Sequence, residues 1–180
     1  IVTGDTKVVE RGAADKLFIN TAGIGVVPKG IDLSARHARV GDAIIINGFL
    51  GDHGTAILVA RKQLDLQADV RSDCQPLADL VQTMLAVCPG IRCLRDATRG
   101  GVATVLNEFA LASGVSIHIH ESALPIREQV RGACEILGLD PMYLANEGKL
   151  VAVVPASAAQ DVLAVMQVHP AGRDAAIIGV

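Results

Sequence analysis

Four short segments set glycine beside side chains that can bind or move charge: GDTK at 4–7, GDHG at 51–54, DATRGG at 96–101 and NEG at 146–148. Loops between rigid elements are where binding groups usually sit. DATRGG stands directly before a helical pattern, so its backbone N–H groups can face an anion at the helix N-terminus. Gly100 and Gly101 remove side chains that would block a phosphate. Arg99 can neutralise charge, and Asp96 can reach a metal or a substrate N–H. The same residues also suit an ordinary loop in which Asp96 or Thr98 caps the helix. They do not spell the GxxxxGK[ST] phosphate loop.

In GDTK, the residues Asp5, Thr6 and Lys7 gather a carboxylate, a hydroxyl and an ammonium. Mg²⁺ prefers oxygen ligands and commonly bridges carboxylates to phosphate oxygens. Lys7 can meet a phosphate or a developing negative charge; a solvated turn with a surface lysine is the plainer reading. NEG places Asn146 and Glu147 just before an apolar strand. A partly desolvated glutamate can act as a general base there, although Asn-Glu-Gly is also a common turn composition. His53 suits a base, a hydrogen-bond donor or a structural loop residue. His118 and His120 fall on one face of an alternating strand without a third ligand in sequence, so no metal site is expected from them. Cys88 and Cys93 flank a Pro-Gly turn, and Cys134 falls inside a helix as a core residue.

The elements that must position these loops follow from periodicity. Residues 1–9 and 16–27 read as strands, LFINTAGIGVV being rich in aliphatic and β-branched residues. The polar, punctuated PKGIDLSARHARVGD segment marks a boundary between two units. AIIINGFLG is a buried strand. Helices are expected over 55–64, 76–87, 102–113, 127–137 and 157–169, with CPG stopping the second and Gly114 the third. Strands are expected at 91–95, 116–122, 149–154 and 175–180. Several links are too short for a parallel crossover, so the fold class is α+β, a layered sandwich with a mixed sheet.

Composition narrows the function classes. Half of the 180 residues are hydrophobic (51%), and with three Phe, one Tyr and no Trp the core is built from small aliphatics. The same scarcity leaves no stacking platform for single-stranded nucleic acid. A formal charge of −3, with the basic residues dispersed, lacks a nucleic-acid footprint. Hydrophobic runs stay well below the roughly 20 residues of a membrane span. The four cysteines form no CxxC pair, so reduced thiols and a cytoplasmic location are expected. The chain opens at Ile1 without Met and closes in an apolar run, as an excised segment would.

GDTKVV at 4–9, GDHG at 51–54, LRDATRGGV at 94–102 and LANEGKLV at 144–151 together resemble the HypE family of hydrogenase maturation factors, from the first residue to the last. The wider family includes aminoimidazole ribonucleotide synthetase, selenophosphate synthetase and thiamine monophosphate kinase. It pairs an N-terminal ATP-binding, dimer-forming domain with a C-terminal α+β domain. The resemblance implies that residues 1–35 are the last strands of the first domain and 36–180 most of the second. It implies ATP and Mg²⁺ as cofactors and dehydration of a carboxamide, carried on a C-terminal cysteine thiol, to a thiocyanate. The cyanide so formed is destined for the iron of [NiFe]-hydrogenase. It also implies three partnerships: the carbamoyltransferase HypF, the HypC–HypD complex and a second copy of the protein.

The roles carried over are these. Asp5 and Thr6 face Mg²⁺ and phosphate, and Lys7 stabilises charge on the carboxamide oxygen. Asp96, Thr98, Arg99, Gly100 and Gly101 hold phosphate. Glu147 accepts the proton and Asn146 positions the substrate. The acidic nucleotide-binding loop and the cysteine-ended tail of the family are absent from this sequence, so the segment is expected to be inactive alone. Two rivals remain, another ATP-dependent enzyme of the wider family and a non-catalytic docking module for maturation partners.

Overall fold

Runs of β-branched and small aliphatic residues make the sheet. In this computed structural model, which describes residues 2–6, 8–13, 18–61 and 70–180, they form four strands. These are β1 (Ala43–Ile46), β2 (Cys93–Asp96), β3 (Leu150–Val154) and β4 (Ala176–Gly179), in the order β2-β3-β1-β4. Their pairings are antiparallel, with Ile46 opposite Val151, Asp96 opposite Leu150 and Ile46 opposite Ala176. The α+β class stands. The expected mixed sheet is corrected: the four strands pair antiparallel throughout, because each described neighbour pair runs in opposite directions, and the parallel Leu50–Ile126 bridge lies outside them.

Among the described residues five α-helices cover it: α1 (Asp52–Ala60), α2 (Ala78–Val87), α3 (Gly101–Ser113), α4 (Glu128–Leu137) and α5 (Ala159–Val168). Strand side chains alternate between faces, and both faces are buried. Ile45, Ala152 and Val154 meet Leu80 and Met84 of α2 and Val162 and Met166 of α5. Ile44, Ile46, Val151 and Val153 meet Val102, Val105 and Phe109 of α3. Fully burying one such side chain stabilises by about 1.5–3 kcal/mol. Small residues let this double-faced packing close without aromatic anchors other than Phe109.

Three further expectations need correction. The described residues of 1–9 and 16–27 form no strand, and their aliphatics, among them Val2, Ile24 and Val26, are exposed. A strand is stable only in a pair, and no described neighbour supplies one. The alternating segment at 116–122 forms no full strand: it pairs with the chain around β4 about one bridge, Ile119 to Gly179, through bonds between His118 and Val180 and from the His120 N–H to the Ile178 carbonyl, and then enters a 3₁₀ turn at Glu121–Ala123. The first helix starts earlier than periodicity indicates, at Asp52, because the turn at Gly51 (φ 78°) allows it; its expected end, with Lys62 and Leu64, lies outside the described residues. Gly114 stops α3 in a left-handed conformation, as expected. Among the described residues no helix is long and apolar enough to cross a membrane.

Candidate functional site

The strand directions gather three of the four loops. β1 and β2 run one way and β3 and β4 the other. The exits to 47–54 and 97–101 and the entries from 144–149 and 170–175 therefore share one end of the sheet. GDHG, DATRGG and NEG all lie there. Asp5 and Thr6 are exposed, and the Thr6 N–H donates to Asp5 Oδ1 at 2.8 Å. Nothing among the described residues ties them to the sheet end, and Lys7 lies outside the described residues.

Asn146 is the knot of the three loops. Its Oδ1 accepts the Gly51 N–H (2.9 Å), and its Nδ2 donates to the carbonyls of Ala97 (3.2 Å) and Leu144 (3.0 Å). It is buried, so the amide is spent on backbone. Beside it, Asp73 accepts the N–H groups of Glu147 (3.0 Å) and Gly148 (3.3 Å) and pairs with Lys149 Nζ at 2.9 Å. The Asp73 and Lys149 side chains are only 3% and 6% exposed. A buried pair of this kind is tolerable because further hydrogen bonds satisfy the carboxylate. Asn47 completes the frame. Its Nδ2 donates to the carbonyls of Gly148 (3.1 Å) and Ala171 (2.8 Å), and its Oδ1 accepts the Leu150 N–H (2.8 Å).

Glu147 is held by its backbone while its side chain, 39% exposed, faces outward with Oε1 3.9 Å from His53 Nε2. Asp73, which holds the Glu147 backbone, also lines a cavity of about 500 Å³ together with Asp52, Ser72, Arg127 and Lys149 among others. Asp52 begins α1, and burial pushes its carboxyl pKa up against the opposing effect of Arg127. Arg127 Nε donates to Asp52 Oδ2 at 3.2 Å, and its guanidinium lies 3.9 Å from the Phe49 ring centroid. Asp52 Oδ1 is buried without a partner. An acceptor left open beside a cavity suits a ligand N–H.

The DATRGG loop differs from its expectation in two respects. Neither Asp96 nor Thr98 caps α3: Thr98 Oγ1 donates to Asp96 Oδ2 at 2.6 Å, and Gly100 takes the N-cap position without a side-chain bond. The glycines also have a packing reason. A Cβ at Gly100 would strike the Thr104 side chain, and one at Gly101 would strike the carbonyls of Met142 and Leu144. The space they free is filled by the protein. What remains open to an anion is the exposed edge of the loop, with Asp96, Arg99 and Gly100.

His118 and His120 are both exposed, and no group of three metal-ligating residues forms among the described residues. Cys88, Cys93 and Cys134 are buried free thiols, while Cys74 is exposed. Burial pushes the Cys93 and Cys134 thiols up, away from the thiolate a nucleophile requires. Sequence reasoning missed Asp73, Asn47 and Lys149. Asp73 meets Glu147 from 74 positions away, a distance at which no local pattern signals contact.

The family described as AIR synthase related protein, C-terminal domain, matches residues 39–180. The carbamoyl dehydratase HypE of Azotobacter vinelandii is 57% identical over 179 residues, which cover 99% of this chain and 52% of that protein. Among solved structures, E. coli HypE superimposes with a TM-score of 0.94 at 57% identity, covering 99% of this chain and 55% of the other. A HypE–HypF complex contains a chain matching at TM-score 0.81 and 44% identity, over 84% of this chain and 50% of that one. A HypE in complex with ATP matches at TM-score 0.78 and 49% identity, over 82% and 44%. The chain spans about half the length of the curated relatives it matches.

Proposed function

We propose that this chain, which belongs to the AIR synthase related proteins, carries the proton-abstracting end of an ATP-dependent carbamoyl dehydratase that serves hydrogenase maturation. In the full-length protein the substrate is a carboxamide on the thiol of a C-terminal cysteine, and the product is a thiocyanate whose cyanide goes to the iron of [NiFe]-hydrogenase. The observation that carries this reading is Glu147, fixed through its backbone N–H by the buried side chain of Asp73, a residue of the cavity wall, while its own carboxylate stays exposed beside His53. That is how a general base is held for a ligand. The HypE names of the relatives and the ATP bound to one of them support the reaction class.

Converting R–S–C(=O)–NH₂ to R–S–C≡N breaks two N–H bonds and removes the oxygen. ATP supplies, when bound, the phosphoryl group with which that oxygen departs as phosphate. Glu147 takes protons from nitrogen. Lys7 stabilises charge on the carboxamide oxygen. Asn146 fixes the geometry of the three loops, and so positions the substrate indirectly. Asp96, Arg99 and Gly100 offer the exposed edge of the α3 N-terminus to phosphate, with Thr98 bonded to Asp96 and Gly101 shaping the turn. Asp5 is an exposed carboxylate suited to Mg²⁺ bridged to phosphate, with Thr6 beside it.

The boundary near residue 35 separates this catalytic face from the part that completes ATP binding and forms a homodimer. HypF is the proposed carboxamide donor, supported by the HypE–HypF complex, and HypC–HypD the acceptor. The test uses the protein extended to the length of its relatives, with its terminal thiol carbamoylated, followed by intact mass. MgATP should cause loss of one water, and Glu147→Gln should slow that loss by about 100-fold or more. A wild-type rate in Glu147→Gln would remove the base assignment.

A further inference from the structure

A nitrile keeps neither of the two protons that an amide nitrogen carries. A single carboxylate can hold only one, so it must pass the first on before accepting the second. We infer that His53 is the residue that receives it, acting as the positioning and proton-relay partner of Glu147. The inference rests on the reading of Glu147 as the base.

The geometry is built rather than incidental. The Gly51 turn and the bond from the Gly54 N–H to the Ala145 carbonyl (3.0 Å) fix the start of α1 against the segment that carries Glu147. This sets His53 Nε2 3.9 Å from Glu147 Oε1. The other ring nitrogen, Nδ1, lies 2.9 Å from Ser72 Oγ. Ser72 Oγ also accepts the Cys74 N–H at 3.2 Å, which anchors it in turn. His53 is the less exposed of the pair, 21% against 39%, so it backs the carboxylate from the protein side. Catalytic contacts are often long in the unliganded state and tighten with substrate.

In the relay the Glu147 O–H bond breaks as an N–H bond forms at His53 Nε2, which restores the carboxylate beside an imidazolium. In the imidazolium Nδ1 is protonated and donates to Ser72 Oγ, and the proton leaves from Nδ1 to water in the cavity that Ser72 lines. No oxidant or further reactant is needed. The charged groups around the ring are compatible with a transient cation. Glu147 faces it directly, Asp73 adjoins Ser72 and is paired with Lys149, and Asp52 on the same helix is paired with Arg127. Arg71 lines the same cavity.

The test is the dehydration assay on full-length, carbamoylated protein with MgATP, run over a pH series. His53→Gln should slow dehydration about 10- to 100-fold and change the shape of the pH dependence, with ATP affinity unchanged. In His53→Ala, added imidazole should restore part of the rate, which a purely structural histidine would not allow. Ser72→Ala, which keeps the ring but frees it, should give a smaller loss in the same direction and carries the test if the His53 variants fail to fold. A wild-type rate and pH dependence in His53→Gln, or in Ser72→Ala as its substitute, overturns the inference. Should Glu147→Gln be inactive while His53→Gln matches wild type, the pairing alone is wrong. Should Glu147→Gln match wild type, the base reading fails and takes the pairing with it.

Discussion

The loops at the end of the sheet and the arm before Pro28 draw on the same residues, glycines set among small aliphatics and a few charged groups. At the sheet end, Asn146, Asp73 and Asn47 satisfy the backbone of loops that belong to four different strands. In the arm, hydrogen bonds among the described residues are local, from Thr6 to Asp5 and from Ala13 to the Glu10 carbonyl, and the aliphatics are exposed. The difference lies in partners. Buried polar side chains convert a glycine-rich loop into a fixed surface, and without them the same composition stays extended and solvated.

That contrast is sharpest at matched glycines. Gly101 sits at φ +63°, and a Cβ there would press the Leu144 carbonyl oxygen at 2.7 Å. Gly25 has nothing within 4 Å of an added Cβ. Gly101→Ala is therefore expected to cost about 3 kcal/mol, from the left-handed backbone and the overpacking together. Gly25→Ala should stay within about 0.5 kcal/mol. Denaturant unfolding of the two variants measures both, and equal effects would break the comparison. A smaller loss, about 2 kcal/mol, is expected for Asn146→Ala. The Gly51 N–H loses its acceptor, whereas the Ala97 carbonyl keeps the Asn146 backbone N–H. Stability close to wild type would show that the knot does not hold the loops.

Much of this division is visible in the residues themselves, and part of it is not. AIII and LVAVV announce strands buried on both faces, and the sheet uses them so. The pattern of α3 and its Gly114 stop are equally local. The exposed arm reads as two strands because strand propensity belongs to a residue while strand formation belongs to a pair. The SIHIHES alternation overstates a short pairing: the segment meets the chain around β4 about the Ile119–Gly179 bridge and turns away at Glu121. At the site, glycine and charge mark three of the loops correctly as neighbours of strand ends. Of the residues that hold them, Asn146 and Asn47 sit within segments the pattern marks but for other roles, while Asp73 lies in a segment without any distinguishing pattern. Their function arises from approach in space. Gly101 shows the same limit from the other side, since its type is explained by carbonyls forty residues away as well as by any ligand.

The smallest expected effect completes the contrast. Removal of residues 1–27 should change the unfolding free energy of the remainder by less than about 1 kcal/mol, a shift of only a few degrees in Tm. The described arm residues bury little, and the next unit is tied to the sheet separately, through the Ser34 N–H bond to the Arg92 carbonyl. The same deletion should lower self-association at high protein concentration, measured by light scattering, because extended aliphatic segments offer unpaired edges. A destabilisation of several kcal/mol would mean that the arm packs onto the domain in solution, and its exposed valines and isoleucines would then belong to the core. A neutral deletion with reduced association would instead place their partner outside the described domain, and the part of the relatives' length that this chain does not span is the surface to look for.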